Sequence, residues 1–198
     1  MGNKAASPLP TYRLAIQQLQ PDELTEIQRV FNILSCNSNF ITLPNFLEYT
    51  RLDCSICVRK SLLTKVFMSL DSKKDNVIDI EEFVCGVALF RDGDVQELVK
   101  ILYFMYESKT GGMAKESLRQ LLVDSMLINR KDDISPILME SWIQEQYDLS
   151  DGMAELALYQ YASNLKSIDL NEFKSFFGIE GNLQNLLRIL TSYFRGLQ

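Results

Sequence analysis

Apolar residues recur at helical spacing through most of the chain, and strict alternation never lasts beyond about three or four residues. The pattern predicts an all-α fold. Three helix endings repeat 36 residues apart: Val30 to Ser35, Val66 to Asp71 and Leu102 to Glu107. A polar stretch follows each ending, and a second helix then opens at Asn45-Phe46, Glu82-Phe83 and Ser117-Leu118. The repeating unit is therefore helix, loop of about a dozen residues, helix. A fourth exit, Glu172-Phe173, comes 55 residues after Leu118 where 36 would continue the series, so the last unit carries an insertion of about 19 residues. Residues 179 to 198 end the chain with a further helix. Its Leu183, Leu186, Leu187, Leu190, Tyr193, Phe194 and Leu197 make one continuous apolar face, expected to pack on the chain's own C-terminal lobe and otherwise free to dock on a partner.

The loops differ in chemistry. Residues 71 to 82, DSKKDNVIDIEE, place Asp71, Asp75, the Val77 backbone, Asp79 and Glu82 at positions 1, 5, 7, 9 and 12 of a calcium loop. Asn76 stands at position 6, where the backbone must turn left-handed, and asparagine tolerates that conformation second only to glycine. Ile78 at position 8 is the apolar residue of the short strand expected to pair neighbouring loops. Lys73 occupies position 3, an ammonium where a carboxylate should point at the ion, so the loop is a weak site at best. The other loops lack the ligands. Residues 35 to 45 are one residue short, have no acid and carry Phe40 where glycine is expected; the loop from Glu107 has Lys109 and Gly111 at positions 3 and 5 and no acid at 12. Aligning the fourth on Ile168, Glu172 and Phe173 puts Tyr161, Ser163 and Leu165 at positions 1, 3 and 5.

On these residues the chain resembles the EF-hand superfamily, and within it the calcineurin B and neuronal calcium sensor group. The resemblance runs over residues 21 to 178 and is strongest from 62 to 122, through the Gly86-Val87-Ala88-Leu89-Phe90 exit helix. It implies four hands paired into two lobes at 21–92 and 93–178, after a flexible arm and lead-in at 1–20 and before the helix at 179–198. It also implies a hydrophobic groove and a protein target in place of a substrate, with calcium at one site at most.

Composition narrows the chemistry further. The 198 residues contain no histidine, which removes Ser-His-Asp and Cys-His nucleophile pairs, HExxH zinc sites and imidazole acid-base work. An enzyme is not expected. Twenty basic residues against 26 acidic ones give a net charge of -6, without the positive field that nucleic acid requires. Cysteines at 36, 54, 57 and 85 form no disulfide framework, and the single Cys54-Ser55-Ile56-Cys57 motif has no second pair to complete a zinc site. With no signal peptide or 18-residue apolar run, the expected compartment is cytoplasmic, with peripheral membrane contact if the arm is lipidated.

That arm reads Met1-Gly2-Asn3-Lys4-Ala5-Ala6-Ser7, an imperfect N-myristoylation pattern at Gly2 because Ser7 stands one step late. A single acyl chain would anchor only reversibly. Met105, Met113, Met126, Met139 and Met153 are candidates for a pliable groove, though scattered methionines more often fill cores. Together these features predict a non-catalytic regulatory subunit that binds a helix of a larger protein. Two alternatives stand beside it: a calcium-independent structural component of a cytoskeletal or membrane assembly, and the regulatory module of a longer enzyme.

Overall fold

The computed structural model describes residues 9–52, 60–108, 111–127, 145, 148–154, 156–157, 167–177 and 181–196. Gly2, Cys54, Cys57, Lys109, Met139, Tyr161, Ser163, Leu165 and Leu197 lie outside these residues, and the side chain of Met126 is likewise not described. The described chain is all-α, with four two-residue strands as its only extended pairing.

Contacts divide it into two units. The first contains the described residues of 1–53, 60–105 and 189–198; the second contains those of 106–188. In the first unit α1 (Tyr12–Gln18) precedes two helix–loop–helix elements. These are α2 (Pro21–Leu34), β1 (Ile41–Thr42) and α3 (Leu43–Leu52), then α4 (Lys60–Leu70), β2 (Val77–Ile78) and α5 (Ile80–Asp92). Pro21 suits the first turn of α2, and a reciprocal cap between Gln20 and Glu23 satisfies the free N–H groups there. Ile27, Val30, Phe31 and Leu34 are its buried stripe, at the helical spacing of one face.

Antiparallel pairing of Ile41 with Ile78 and of Thr42 with Val77 joins the two loops. The first residue past each loop's end then enters the core: Phe46 packs edge-on against Phe67 and Phe83 against Phe31, at centroid separations of 5.7 and 5.9 Å. Gly86 records how closely α4 and α5 meet, since a Cβ there would collide with Leu70 Cδ2. Helix α1, which buries Ala15, rests on α5, and Arg91 near the end of α5 pairs with Glu23 at the start of α2.

Helix α6 (Val95–Tyr106) leads out of the first unit, and its last residue, Tyr106, belongs to the second. There follow β3 (Met113–Ala114), α7 (Lys115–Leu127), a helical stretch at 148–154, β4 (Ser167–Ile168) and α8 (Leu170–Phe177). Met113 pairs with Ile168 and Ala114 with Ser167. Leu118, Leu121, Leu122, Phe173, Leu183 and Leu186 are fully buried in this unit. A buried carboxylate sits among them: Asp124 accepts hydrogen bonds from Tyr106 Oη at 2.6 Å and from Gln120 Nε2 at 3.0 Å. Burial, reinforced by that negative neighbour, pushes the Tyr106 phenol well above its ordinary range.

The final helix, α9 (Gly181–Arg195), buries Leu183, Leu186, Leu187, Leu190 and Phe194 and leaves Tyr193 half-buried, so these five residues of the apolar face are not presented to solvent. It does not stay with the C-terminal lobe throughout. Residues from Ile189 onward belong to the first unit, where Phe194 stacks on Phe90 of α5 at 4.3 Å and Arg195 donates two hydrogen bonds to the Arg91 carbonyl. The reason is physical: two large rings meet face to face, and a guanidinium satisfies a carbonyl in the last turn of α5.

Candidate metal centre

Strand register sets the loops in correspondence. Four residues after Ile41, Ile78, Met113 and Ile168 stand Asn45, Glu82, Ser117 and Glu172, and the next residue in each case, Phe46, Phe83, Leu118 or Phe173, is buried. Only the even-numbered loops carry a glutamate at that position. The third loop is also shorter than counting from Glu107 suggests: Tyr106 to Met113 is seven residues, as is Leu34 to Ile41, against eight from Leu70 to Ile78. Its closing residue is therefore Ser117 and not Leu118.

Backbone conformation explains the shortening. Each short loop turns on two consecutive left-handed residues, Cys36 and Asn37 in the first (φ 53° and 59°) and Gly111 and Gly112 in the third (φ 83° and 80°). The full-length loop separates its two, Lys74 at 60° and Asn76 at 67°. Phe40, standing where glycine is expected, is not among the left-handed residues and is about half exposed.

Within 71–82 the acids converge. Carboxylate oxygens of Asp71, Asp75 and Glu82 lie within 4.8 Å of one another, with Asp71 and Glu82 buried and Asp75 exposed. Backbone N–H groups hold them in place: Asp75 and Asn76 donate to Asp71 at 3.2 and 3.0 Å, and Val77 donates to Asp75 at 3.3 Å. Glu82 Oε1 accepts from Ser72 Oγ and Lys73 N, each at 2.9 Å, while Oε2 accepts from Asp79 N at 3.2 Å. Donors of this kind give buried acceptor oxygens the hydrogen-bond partners they need.

Asp79 is placed differently. One of its oxygens caps α5 by accepting from Glu82 N at 3.0 Å, and the other accepts from the Lys73 ammonium. Burial raises the Asp79 pKa, but the Lys73 ammonium and the N–H groups of Glu82 and Glu81 outweigh it and hold the carboxyl below its ordinary range. Lys73 thus turns toward position 9, six residues on, a direction that ligand spacing alone does not reveal. Val77 lies in β2 opposite Thr42.

The remaining loops offer other contacts. In the third, Gly112 N donates to Glu107 Oε1 at 3.4 Å, and Lys115 Nζ, at the start of α7, pairs with Asp151 at 3.3 Å. In the fourth, Asp169 Oδ1 accepts from Asn171 and Glu172 N–H while Glu172 Oε2 accepts from Asp169 N, the same reciprocal cap as Asp79 with Glu82. Of the methionines singled out, Met105 and Met113 are buried and Met153 is half-buried, whereas Met68 of α4 is 55% exposed. Cys85 is buried, and burial first, then the acids of the loop, push its thiol up to about 11, so it stays protonated at neutral pH.

No family profile matches the chain. A stretch of 113 residues is 26% identical to a calcium and calcium/calmodulin-dependent serine/threonine-protein kinase of Lilium longiflorum, covering 55% of this chain and 21% of the kinase. Another of 132 residues is 24% identical to guanylyl cyclase-activating protein 3 of Homo sapiens, covering 65% of this chain and 60% of that protein. A third, of 126 residues, is 28% identical to human ubiquitin carboxyl-terminal hydrolase 32, covering 59% of this chain and 8% of the hydrolase. The chain spans about a fifth of the lily kinase's length. These weak likenesses, to a calcium-dependent kinase and to a cyclase activator, agree with an EF-hand resemblance at the level of the chain.

Proposed function

We propose that this chain is a non-catalytic EF-hand regulatory protein that binds a helix of a larger protein, with 71–82 as its one calcium site. The observation that carries the reading is the convergence of Asp71, Asp75 and Glu82 on a strand-paired loop between two packed helices. Three carboxylates and no thiol or imidazole make a hard oxygen set, which suits calcium better than a transition metal. The Val77 carbonyl would complete the ring from the strand, and Asp79 would join it only by leaving Lys73. Magnesium fits less well because it demands tighter octahedral geometry.

The partner is expected at a hydrophobic groove or through the last helix. With the apolar face of α9 buried, a partner helix would either displace its end from Phe90 or use exposed apolar side chains such as Ile33, Phe40 and Met68. Lipidation at Gly2 belongs to the same proposal and would give reversible membrane contact to a cytoplasmic protein. Among the described residues no helix is long and apolar enough to cross a membrane. A second reading makes the chain the regulatory module of a longer enzyme, favoured by the kinase match that covers 21% of its relative.

Affinity capture with the full chain, in calcium and in chelator, tests the main reading. A partner retained only in calcium, and lost with Glu82→Gln, is the expected result, and intact mass after co-expression with an N-myristoyltransferase reports on Gly2. Identical capture in both conditions and by both proteins would instead support a calcium-independent structural role.

A further inference from the structure

Residues 71–82 hold five carboxylates against the ammonium groups of Lys73 and Lys74. The two lysines point to different places. Lys74 reaches back to the Met68 carbonyl at 2.8 Å, in the last turn of α4, where helix carbonyls lack partners within the helix. Lys73 crosses the loop instead: its N–H holds Glu82 at 2.9 Å and its ammonium holds Asp79. Ser72 adds a second bond to Glu82. The incoming side of the loop is thereby fastened to the outgoing side, which is the closure that a bidentate glutamate gives when it wraps an ion. The strand partners Ile41 and Ile78, both fully buried, sit on the closed arrangement.

We propose that Lys73 is the resident cation of this loop: it keeps the loop shut and β1 paired with β2 in the absence of a divalent ion, and calcium must compete with it for Asp79. The inference rests on the reading of 71–82 as the calcium site, and it adds a mechanism of regulation. A tethered ammonium is always present at high local concentration, and it is a compact point charge that can replace part of an ion's field without its coordination number. A hand closed in advance gains less shape change from calcium than one that is open, so its ion response is muted and its fold is kept.

The test uses the full chain as wild type, Lys73→Met, Lys73→Asp and, as a control of equal charge change, Lys74→Met. Amide hydrogen exchange at Ile41 and Ile78 is measured in chelator and in calcium, with calcium titration calorimetry alongside. In chelator Lys73→Met should lose protection roughly two- to fivefold, the range of an exposed ion pair, and Lys73→Asp should lose more because it adds a like charge. Calcium should restore protection in both, and Lys73→Asp should bind it at least about tenfold more tightly than wild type. Unchanged protection in Lys73→Met, or an equal loss in Lys74→Met, would overturn the proposal. Loss of protection specific to Lys73 that calcium fails to restore would uphold the resident cation and discard the calcium reading of the loop.

Discussion

The loops at 71–82 and 107–117 turn the chain through the same helix–loop–helix unit by different chemistry. In the second loop carboxylates do the folding: Asp71 gathers the N–H groups of residues 75 and 76, Glu82 gathers those of 73 and 79, and Asp79 caps the exit helix. In the third loop the backbone does more of it. Ser108 N donates to the Gly112 carbonyl at 2.9 Å and Gly111 N to the Ser108 carbonyl at 3.1 Å, around two glycines with positive φ. Glu107 retains one trace of the acidic scheme in its contact with Gly112 N. Both loops still pair a buried strand residue and deliver a fully buried side chain, Phe83 or Leu118, to the core. The comparison separates fold from ion chemistry: strand pairing and exit-helix packing survive when the ligand set is gone.

The largest test of that separation is to remove the shared part. Phe83→Ala should cost about 3–5 kcal/mol and Leu118→Ala about 2–5 kcal/mol, since each empties a fully enclosed site. Chemical denaturation in chelator checks both. Comparable losses mean that the exit residue anchors each loop whatever its acids do, while a small effect at Leu118 would make the third loop an ornament on an independently stable helix pair.

A smaller effect distinguishes how the two loops turn. Gly112 has φ +80°, and a Cβ there would lie 2.8 Å from Ser167 Oγ and 3.3 Å from the Ile168 carbonyl, so Gly112→Ala combines backbone strain with crowding against β4. A loss of about 1–3 kcal/mol is expected. Asn76→Gly, at φ 67° in the second loop, keeps the accessible conformation and should change stability by less than about 1 kcal/mol. Thermal melts of the pair decide it: equal losses would mean that left-handed geometry is not what separates the two turns.

The repeat is legible in the sequence because its core positions recur: Leu34, Leu70 and Tyr106 close the entering helices, and Phe46, Phe83, Leu118 and Phe173 open the exits. The acids of 71–82 are legible because ligand spacing is a local pattern. The length of the third loop is not, since Gly111-Gly112 can absorb a missing residue without altering the apolar spacing on either side. Lys73's direction is hidden for a related reason: a four-carbon stem reaches several carboxylates, and only the folded loop selects Asp79. The end of α9 departs from expectation because periodicity identifies a buried face without saying which surface covers it. Neither Phe90 nor the Arg91 carbonyl advertises itself as the receptor for Phe194 and Arg195.

The finest test transplants one acidic device from the second loop to the third. Ala114 occupies the place of Asp79, one residue after the paired strand position and directly before α7, yet it has no side-chain oxygen for the free N–H groups of that helix. Ala114→Asp with Ser117→Glu would recreate the reciprocal cap seen at Asp79–Glu82 and at Asp169–Glu172. A gain of about 0.5–1 kcal/mol is expected at neutral pH, without calcium binding, because Lys109 and Gly111 at positions 3 and 5 still supply no carboxylate. Its pH dependence has a definite sign. Asp79 is held below the ordinary carboxyl range, and a capping carboxylate introduced in place of Ala114 and held the same way would stabilise the fold above the unfolded pKa of about 3.9 and lose that contribution as pH falls through the folded value. Melting temperatures at pH 7 and pH 3 therefore check two things together: the double variant should exceed wild type at pH 7 and converge on it at pH 3. A gain that persists undiminished at pH 3 would assign it to something other than an ionised cap, and no gain at pH 7 would mean that the glycine-turned loop holds α7's first turn in a geometry the second loop's carboxylates cannot serve.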